Sequence, residues 1–298
     1  MHNRRGPPNI RRIGVTAPAE DLPDDVAVRM RSCRPDDLNQ VSDLDHQAFG
    51  RNSPPRFVFA QLRDIVGSGF RVVEQHGEIV AYTISVQTGT LLSATAPGPG
   101  RINLLAEVEK EIKGAAATST GIGHPTHHTM LPGKLAPKYE IRRFATSDID
   151  ELYQVENQTF VEDPYPRRLL GRLGAVFRDG FLVAERHSRH AAPEIVGSLV
   201  SVVDAGCPGV GWIMSLGVLE AHRREGVGTC LMNAAEAYLH EAGCEKIKLT
   251  VDPVNKIALH LYQQRNYALV ERIDDYHGTG RSRLLMVQDA SDAPSHRR

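Results

Sequence analysis

The sequence predicts an α+β (mixed α/β) fold laid down twice, partially in the first half and fully in the second. Three observations predict it: an internal repeat at a fixed offset, helical spacing alternating with strand-like runs, and about ninety structured residues that continue the second half past the repeat. A chain of 298 residues has room for two domains of ordinary size. Lys plus Arg total 35 and Asp plus Glu 36, a net charge of -1. That balance argues against a protein that coats nucleic acid or anionic lipid. No run of about 18 apolar residues is present, so no membrane span is expected.

A shift of 111 positions aligns residues 31–76 with 142–187 without a gap. The identities are Arg31/Arg142, Asp37/Asp148, Gln47/Gln158, Phe49/Phe160, Pro55/Pro166, Arg56/Arg167, Leu62/Leu173, Gly69/Gly180, Phe70/Phe181, Val72/Val183, Glu74/Glu185 and His76/His187. Twelve identities in 46 positions compare with roughly three expected from average composition. After a short insertion, Glu78-Ile79-Val80 answers Glu194-Ile195-Val196.

Each copy then reads the same way. A short strand (Val28 to Arg34, or Tyr139 to Phe144) leads into a helix whose apolar positions are Leu38, Val41, Leu44 and Phe49, or Ile149, Leu152, Val155 and Phe160. Asp36 and Ser147 are the expected N-caps. A Pro-containing break precedes a second amphipathic stretch. A hairpin follows, Phe70 to Gln75 with Ile79 to Val86, or Phe181 to Arg186 with Ile195 to Val203. The first hairpin is expected to turn at His76-Gly77. The second is expected to carry a longer loop, Ser188 to Pro193.

The halves diverge after the hairpins. Residues 88–138 are rich in Gly, Ala, Pro, Thr and His and read as linker or as the remnant of a decayed half-domain, with only Ile102 to Lys113 helical. The second half continues with a strand (Gly211 to Leu219), a Gly-containing turn, a helix (Gly228 to Ala242), a strand (Lys246 to Val251), a helix (Asn255 to Arg265) and two closing strands (Ala268 to Ile273, Arg283 to Gln288). The expected division is a tail at 1–25, a partial domain at 26–87, a linker or remnant at 88–138, a complete domain at 139–289 and a tail at 290–298. The N-terminal stretch is basic but has no apolar core of a secretory signal, and it is poor in the Ser of a transit peptide. Cys33, Cys207, Cys230 and Cys244 match no zinc spacing and read as reduced, mostly buried thiols of a cytoplasmic protein. His124, His127 and His128 read as a solvated loop rather than a metal site, so no metal is expected.

The chemistry is concentrated at Leu216-Gly217-Val218-Leu219-Glu220-Ala221-His222-Arg223-Arg224-Glu225-Gly226-Val227-Gly228. A strand ends, a basic turn follows and a helix begins, which aims successive backbone N–H groups at an anion such as phosphate. Glycine lets the backbone approach such a ligand closely. Neither a P-loop nor a dinucleotide fingerprint is present.

In this context Arg223-x-x-Gly226-x-Gly228 resembles the R/Q-x-x-G-x-G/A acetyl-CoA signature of the GNAT acetyltransferase superfamily. Asn255-Lys256-Ile257-Ala258-Leu259-His260-Leu261-Tyr262 resembles its N-x-x-A-x-x-x-Y helix. Asp275 to Gly280, with the strand Leu284-Leu285-Met286, is similar to the tail of the ribosomal-protein alanine N-acetyltransferases. The resemblance covers 139–289, while residues 28–86 resemble only the N-terminal half of the same fold. It implies a tandem GNAT fold with a mixed, mostly antiparallel sheet, splayed central strands and flanking helices, the first copy truncated.

The resemblance further implies an N-acetyltransferase that moves an acetyl group from acetyl-CoA, the cosubstrate, to a primary amine. The acceptor is expected to be a protein or peptide N-terminus, and neither nucleic acid nor membrane is expected as a partner. Arg223, Arg224, Glu225, Gly226, Val227 and Gly228 should cradle the pyrophosphate. Leu216, Gly217 and Val218 should hold the pantetheine arm and offer an N–H to the oxyanion. Asn255 should touch the pantetheine or the sulfur region, and Tyr262 should act as acid to the leaving thiolate. Thr250 stands where the alanine acetyltransferases have a Glu, so the base is open among a water chain, Asp252, Glu162 and Asp163. The last two lie in the loop Phe160 to Pro166, which resembles an acceptor loop. Asn266 replaces the usual Gly of the turn before Tyr267. Two alternatives stand beside this reading: a small-molecule amine acetyltransferase, like the tandem mycothiol synthases, and a non-catalytic CoA-binding regulator.

Overall fold

The computed structural model describes residues 28–86, 89–96, 139–188 and 191–289. The first half runs β1 (Val28–Ser32), α1 (Leu38–Phe49), α2 (Arg56–Val66), β2 (Phe70–Gln75), β3 (Glu78–Val86) and β4 (Gly89–Thr95). Its strands form an antiparallel sheet in the order β1-β2-β3-β4. The second half runs β5 (Tyr139–Arg143), α3 (Ile149–Thr159), α4 (Arg167–Val176), β6 (Phe181–Ser188), β7 (Ala191–Val203), β8 (Val210–Val218), α5 (Val227–Glu241), β9 (Lys246–Val251), α6 (Lys256–Gln263), β10 (Ala268–Ile273) and β11 (Arg283–Asp289). Its sheet has the order β10-β11-β9-β8-β7-β6-β5, and β8 with β9 is its parallel pair. Both halves therefore begin strand, helix, helix, strand, strand.

The identities of the repeat have physical reasons. Arg31 forks onto Asp37 at 2.5 and 2.8 Å and onto Glu74 at 2.7 Å. Arg142 makes the same fork onto Asp148 at 2.7 and 3.1 Å and onto Glu185. Asp37 and Asp148 also accept the backbone N–H of Arg34 and Ala145. These acids, not Asp36 and Ser147, fix the helix entrances, because a single 3-10 turn (35–37 and 146–148) precedes each helix and carries the cap one residue further. Arg56 and Arg167 tie paired helices together through Asn39 and Asp150, themselves 111 residues apart. A Cβ at Gly69 would sit 2.3 Å from the Ser85 carbonyl oxygen, and one at Gly180 2.0 Å from that of Ser201. Glycine is required at both hairpin entrances because the neighbouring strand's backbone passes so close.

The first hairpin turns through His76 and Gly77 at φ 52° and 86°, as the sequence suggests. The second differs from expectation. Ser188 pairs with Ala191, so the inserted residues lengthen the strands of the hairpin rather than its loop. Residues 89–95, inside the segment read as linker or remnant, form β4 and add a fourth strand to the first sheet. The predicted helix 102–113 and the three linker histidines lie outside the described residues. Of the free cysteines, Cys230 and Cys244 are buried, Cys33 is half-buried and Cys207 is exposed. Among the described residues no helix is long and apolar enough to cross a membrane, and no group of three potential ligands could hold a metal.

Helix α2 is buried nearly all round, at Phe57, Val58, Phe59, Ala60, Gln61, Leu62, Ile65 and Val66. A helix without a polar face needs cover on both sides. Its own sheet covers one side, and the second half covers the other. Gln61 meets Met214 and Tyr165, the Tyr276 hydroxyl donates to Asp64 at 2.9 Å, and the Ile65 carbonyl accepts from Ala205. One continuous apolar core runs from Phe57 and Phe59 to Trp212, Met214 and Tyr276.

Candidate active site

The second sheet opens in the middle. Strands β8 and β9 pair from Val210/Lys246 to Ile213/Leu249 and no further. Beyond that point Met214 to Val218 runs along β7 alone, and Thr250 to Val251 runs along β11 alone. The wedge between them exposes backbone groups of β8 that an adjacent strand would otherwise use. Leu216, Gly217 and Val218 all lie on this free stretch.

The turn at the end of β8 has the backbone geometry that an anion cradle requires. Arg224 and Gly226 take positive φ, 62° and 85°. Helix α5 begins at Val227, and the first backbone bond it donates into the helix from the turn is Cys230 N–H to the Gly226 carbonyl at 3.0 Å. The N–H groups of the first turn before Cys230 are left for a ligand by the geometry of any helix start. A Cβ at Gly226 would meet nothing within 4 Å, so the face above it is open. Arg223 folds back and donates through Nε to the Val218 carbonyl at 3.0 Å, which fastens the turn to its strand. Arg224 is exposed at the rim. The Glu225 carboxylate accepts from the Tyr139 hydroxyl, and His222 Nδ1 lies 2.9 Å from the same oxygen. Tyr139, on β5, thus clamps the turn from the side. Sequence reading missed it, since a strand tyrosine carries no local signal.

The second motif closes the wedge. Asn255 caps α6, its Oδ1 accepting the Ala258 N–H at 3.0 Å, and the residue is exposed. Tyr262, seven residues on, is 7% exposed and shares one apolar cluster with Val227, Leu249, Leu216 and Val218. Leu261 and Val218 each lie 3.9 Å from the position of a Cβ on Gly228. The strand, the cradle and the tyrosine helix therefore meet at one place. Burial pushes the Tyr262 hydroxyl up to about 12, so it holds its proton throughout the neutral range. Asn266 ends the helix at φ 63°, the left-handed conformation that the usual Gly would supply.

On the other side of the wedge lie the loops 160–166 and 274–282. Gly217 lets the first come close: a Cβ there would be 2.9 Å from side-chain atoms of Phe160 and Thr159. Glu162 and Asp163 both pair with Arg281, Glu162 at 3.3 Å and 81% exposed on its side chain. Asp252 accepts from Arg283 at 3.0 Å and from the Val254 N–H. Each carboxylate named from the sequence is thus held by a cation or an N–H. His277 stays neutral, burial and then Arg283 and Arg281 pulling it down to about 3. Thr250 pairs with Leu285 on β11.

Glu156, on α3, is the carboxylate that stands apart. It is buried, it accepts the Tyr165 N–H at 3.0 Å, and burial pushes it up to about 7. Its counterpart 111 residues earlier, Asp45, is also buried but has Arg168 at 3.4 Å and the Tyr82 hydroxyl. The alignment pairs Asp45 with Glu156, but an acid inside a helix face reads as solvated until its burial is known.

Comparison with known proteins agrees with this geometry. Residues 146–267 match the acetyltransferase (GNAT) family. An uncharacterized N-acetyltransferase of Methanocaldococcus jannaschii is 30% identical over 154 residues, 51% of this chain and 93% of that protein. An N-alpha-acetyltransferase of Sulfurisphaera tokodaii is 26% identical over 164 residues, 52% of this chain and 95% of that protein. A mycothiol acetyltransferase of Propionibacterium freudenreichii is 28% identical over 174 residues, 56% of this chain and 52% of that protein. The chain belongs to the acetyltransferase (GNAT) family and is an acetyl-CoA-dependent N-acetyltransferase.

Proposed function

We propose that the second half acetylates the α-amine of a protein or peptide by direct attack in a ternary complex. The observation that carries this is the open wedge between β8 and β9, with the Arg223–Gly228 turn at its end and Tyr262 at its side. The backbone of the turn binds the pyrophosphate of acetyl-CoA. The free edge of Leu216 to Val218 holds the pantetheine arm, and an N–H on it polarises the thioester carbonyl. The Asn255 amide reaches the pantetheine from the cap of α6. A neutral amine attacks the carbonyl carbon, the tetrahedral oxyanion collapses, and the C–S bond breaks. Tyr262 donates its proton to the departing sulfur, and the proton that the attacking nitrogen carries after addition leaves through solvent, which reprotonates Tyr262. Desolvation there raises the sulfur's affinity for that proton as well. The ammonium of the acceptor must first lose a proton. Glu156 is suited to take it, directly or through water, because it accepts the Tyr165 N–H of the loop 160–166 and, among the described residues, has no cation such as holds Asp252, Glu162 and Asp163.

A protein α-amine is supported as acceptor by the relative from Sulfurisphaera tokodaii, itself an N-alpha-acetyltransferase. The test is release of free thiol from acetyl-CoA in the presence of a peptide library and, separately, of small primary amines. Turnover with peptides is expected. Turnover with small amines alone would move the assignment to that class, and CoA binding without turnover would make the protein a regulator.

Tyr262→Phe is expected to lower kcat by about 100-fold or more, the usual contribution of a positioned proton donor. CoA affinity by calorimetry should change little. An unchanged kcat would remove the acid role from Tyr262.

The division of labour between the halves follows from the same reading. Residues 28–138 contain neither the R-x-x-G-x-G nor the N-x-x-A-x-x-x-Y pattern, so a chain of residues 1–136 should not bind CoA. Residues 136–298 should bind it, yet melt roughly 5 °C or more below the full chain, because α2 no longer covers Met214, Tyr165 and Tyr276. Equal melting temperatures would show that the halves stand independently.

A further inference from the structure

We infer that Gln61, in the first half, is a positioning residue for acetyl transfer in the second half. The inference rests on the acetyl-transfer reading above. It starts from an irregularity in β8. Val200 of β7 pairs with Ser215, and the next residue, Ser201, pairs with Ile213, so Met214 is an extra, bulged residue. The bulge falls at the residue where β8 parts from β9, at the mouth of the wedge. A bulged carbonyl has no ladder partner and, when buried, needs one from elsewhere.

Gln61 supplies it. Its Nε2 donates to the Met214 carbonyl at 3.2 Å, and its Oε1 accepts from the Tyr165 hydroxyl at 3.1 Å. The side chain is buried, with 7% of the residue exposed. The orientation of the amide follows from the partners, since the reverse would set two carbonyl oxygens against each other. Tyr165 is fixed in turn by its own N–H on Glu156. Phe57, one helical turn before Gln61, stacks on His277 with ring centres 3.8 Å apart. Asp64 holds Tyr276. Positions 57, 61 and 64 lie on one face of α2. That face therefore touches the bulge of β8 and both loops that flank the acceptor side.

The consequence concerns geometry at the reacting carbon. Past the bulge, β8 has a strand on one side only, so its position at the thioester depends on β7 and on whatever holds Met214. Oxyanion stabilisation and attack geometry are lost by displacements on the order of 1 Å. Gln61 joins that strand to the acceptor loop through a single amide. It touches neither substrate, so it acts through Met214 and Tyr165.

The test uses the full chain carrying Gln61→Ala or Gln61→Glu. Thiol release is measured across pH, and CoA affinity by calorimetry. Gln61→Ala is expected to lower kcat tenfold or more while CoA affinity stays within twofold. Gln61→Glu keeps the shape and the acceptor for Tyr165. Its ionised carboxylate opposes the Met214 carbonyl, and its protonated form can donate to it. The activity of this variant relative to wild type should therefore rise as pH falls from 8 to 6, which a purely packing role does not predict. The inference is overturned by kcat within twofold of wild type, by CoA affinity falling in step with kcat, or by a pH-independent ratio for Gln61→Glu. Should Gln61→Ala fail to fold, the pH ratio of Gln61→Glu decides alone. A wild-type protein that releases no thiol with any amine overturns the proposed function instead.

Discussion

Replacing Gly226 with Val is expected to weaken CoA binding by at least about 100-fold, whereas Gly228→Ala should leave it within about threefold of wild type. The two glycines belong to one short motif but differ in physical role. Gly226 sits at φ 85°, a left-handed conformation that costs an ordinary residue roughly 1–2 kcal/mol. A Cβ there touches no protein atom, so the side chain would project into the open face of the turn. That is the space that the proposed function assigns to the pyrophosphate, against the backbone N–H groups. Strain and obstruction therefore act together, and the obstruction appears only in binding. At Gly228 a Cβ has Leu261 and Val218 at 3.9 Å, an ordinary van der Waals distance. The fold accepts alanine there, which gives a physical reason for the G/A choice at the last position of the signature. Calorimetry with CoA measures both variants, and thermal melting confirms that each is folded. Gly226→Val binding within threefold of wild type would remove the turn from the cofactor site.

How much of this was legible in the sequence depended on whether the signal was local. The turn, the α6 motif and the left-handed Asn266 are read from adjacent residues, and so is the hairpin at His76-Gly77. The repeat was visible because one set of contacts recurs. Arg142 forks onto Asp148 and Glu185 as Arg31 does onto Asp37 and Glu74, and the chain retains the residues that make each fork. What stayed hidden depends on contacts between distant segments. Gln61 is 153 residues from Met214, and Tyr139 is 86 from Glu225. The run Phe57 to Leu62 showed only that α2 was apolar, not that the second half would cover it. The acids proposed as bases illustrate the same limit. Asp252, Glu162 and Asp163 lie near the motifs in sequence, but their partners Arg283 and Arg281 are not predictable from spacing. Burial of Glu156 is likewise a property of packing.

Glu156→Gln should lower activity and raise stability, and the two effects should separate by pH. In the folded chain burial pushes this carboxyl from its ordinary value up to about 7. A raised carboxyl favours the fold while it is protonated in both states. That advantage is full below about pH 4.5 and is lost as pH rises through about 7. Above pH 7 the ionised, desolvated side chain burdens the fold by an amount on the order of a few kcal/mol. Glutamine keeps the bond from the Tyr165 N–H and carries no charge, so it removes that burden at pH 8 and changes little at pH 4. Denaturant unfolding at the two pH values checks this half; equal stabilisation at both would mean the gain is not electrostatic. In catalysis the wild-type kcat/KM for the acceptor should rise with pH to a plateau just above 7. With glutamine the rise should shift toward the pKa of the acceptor's own amine, and kcat at pH 7.5 should fall by about 100-fold. Stabilisation with an unaltered pH profile would leave Glu156 as a buried acid of the fold and return proton removal to solvent. A stabilising change that lowers activity is the signature expected of a group kept at a cost for its chemistry.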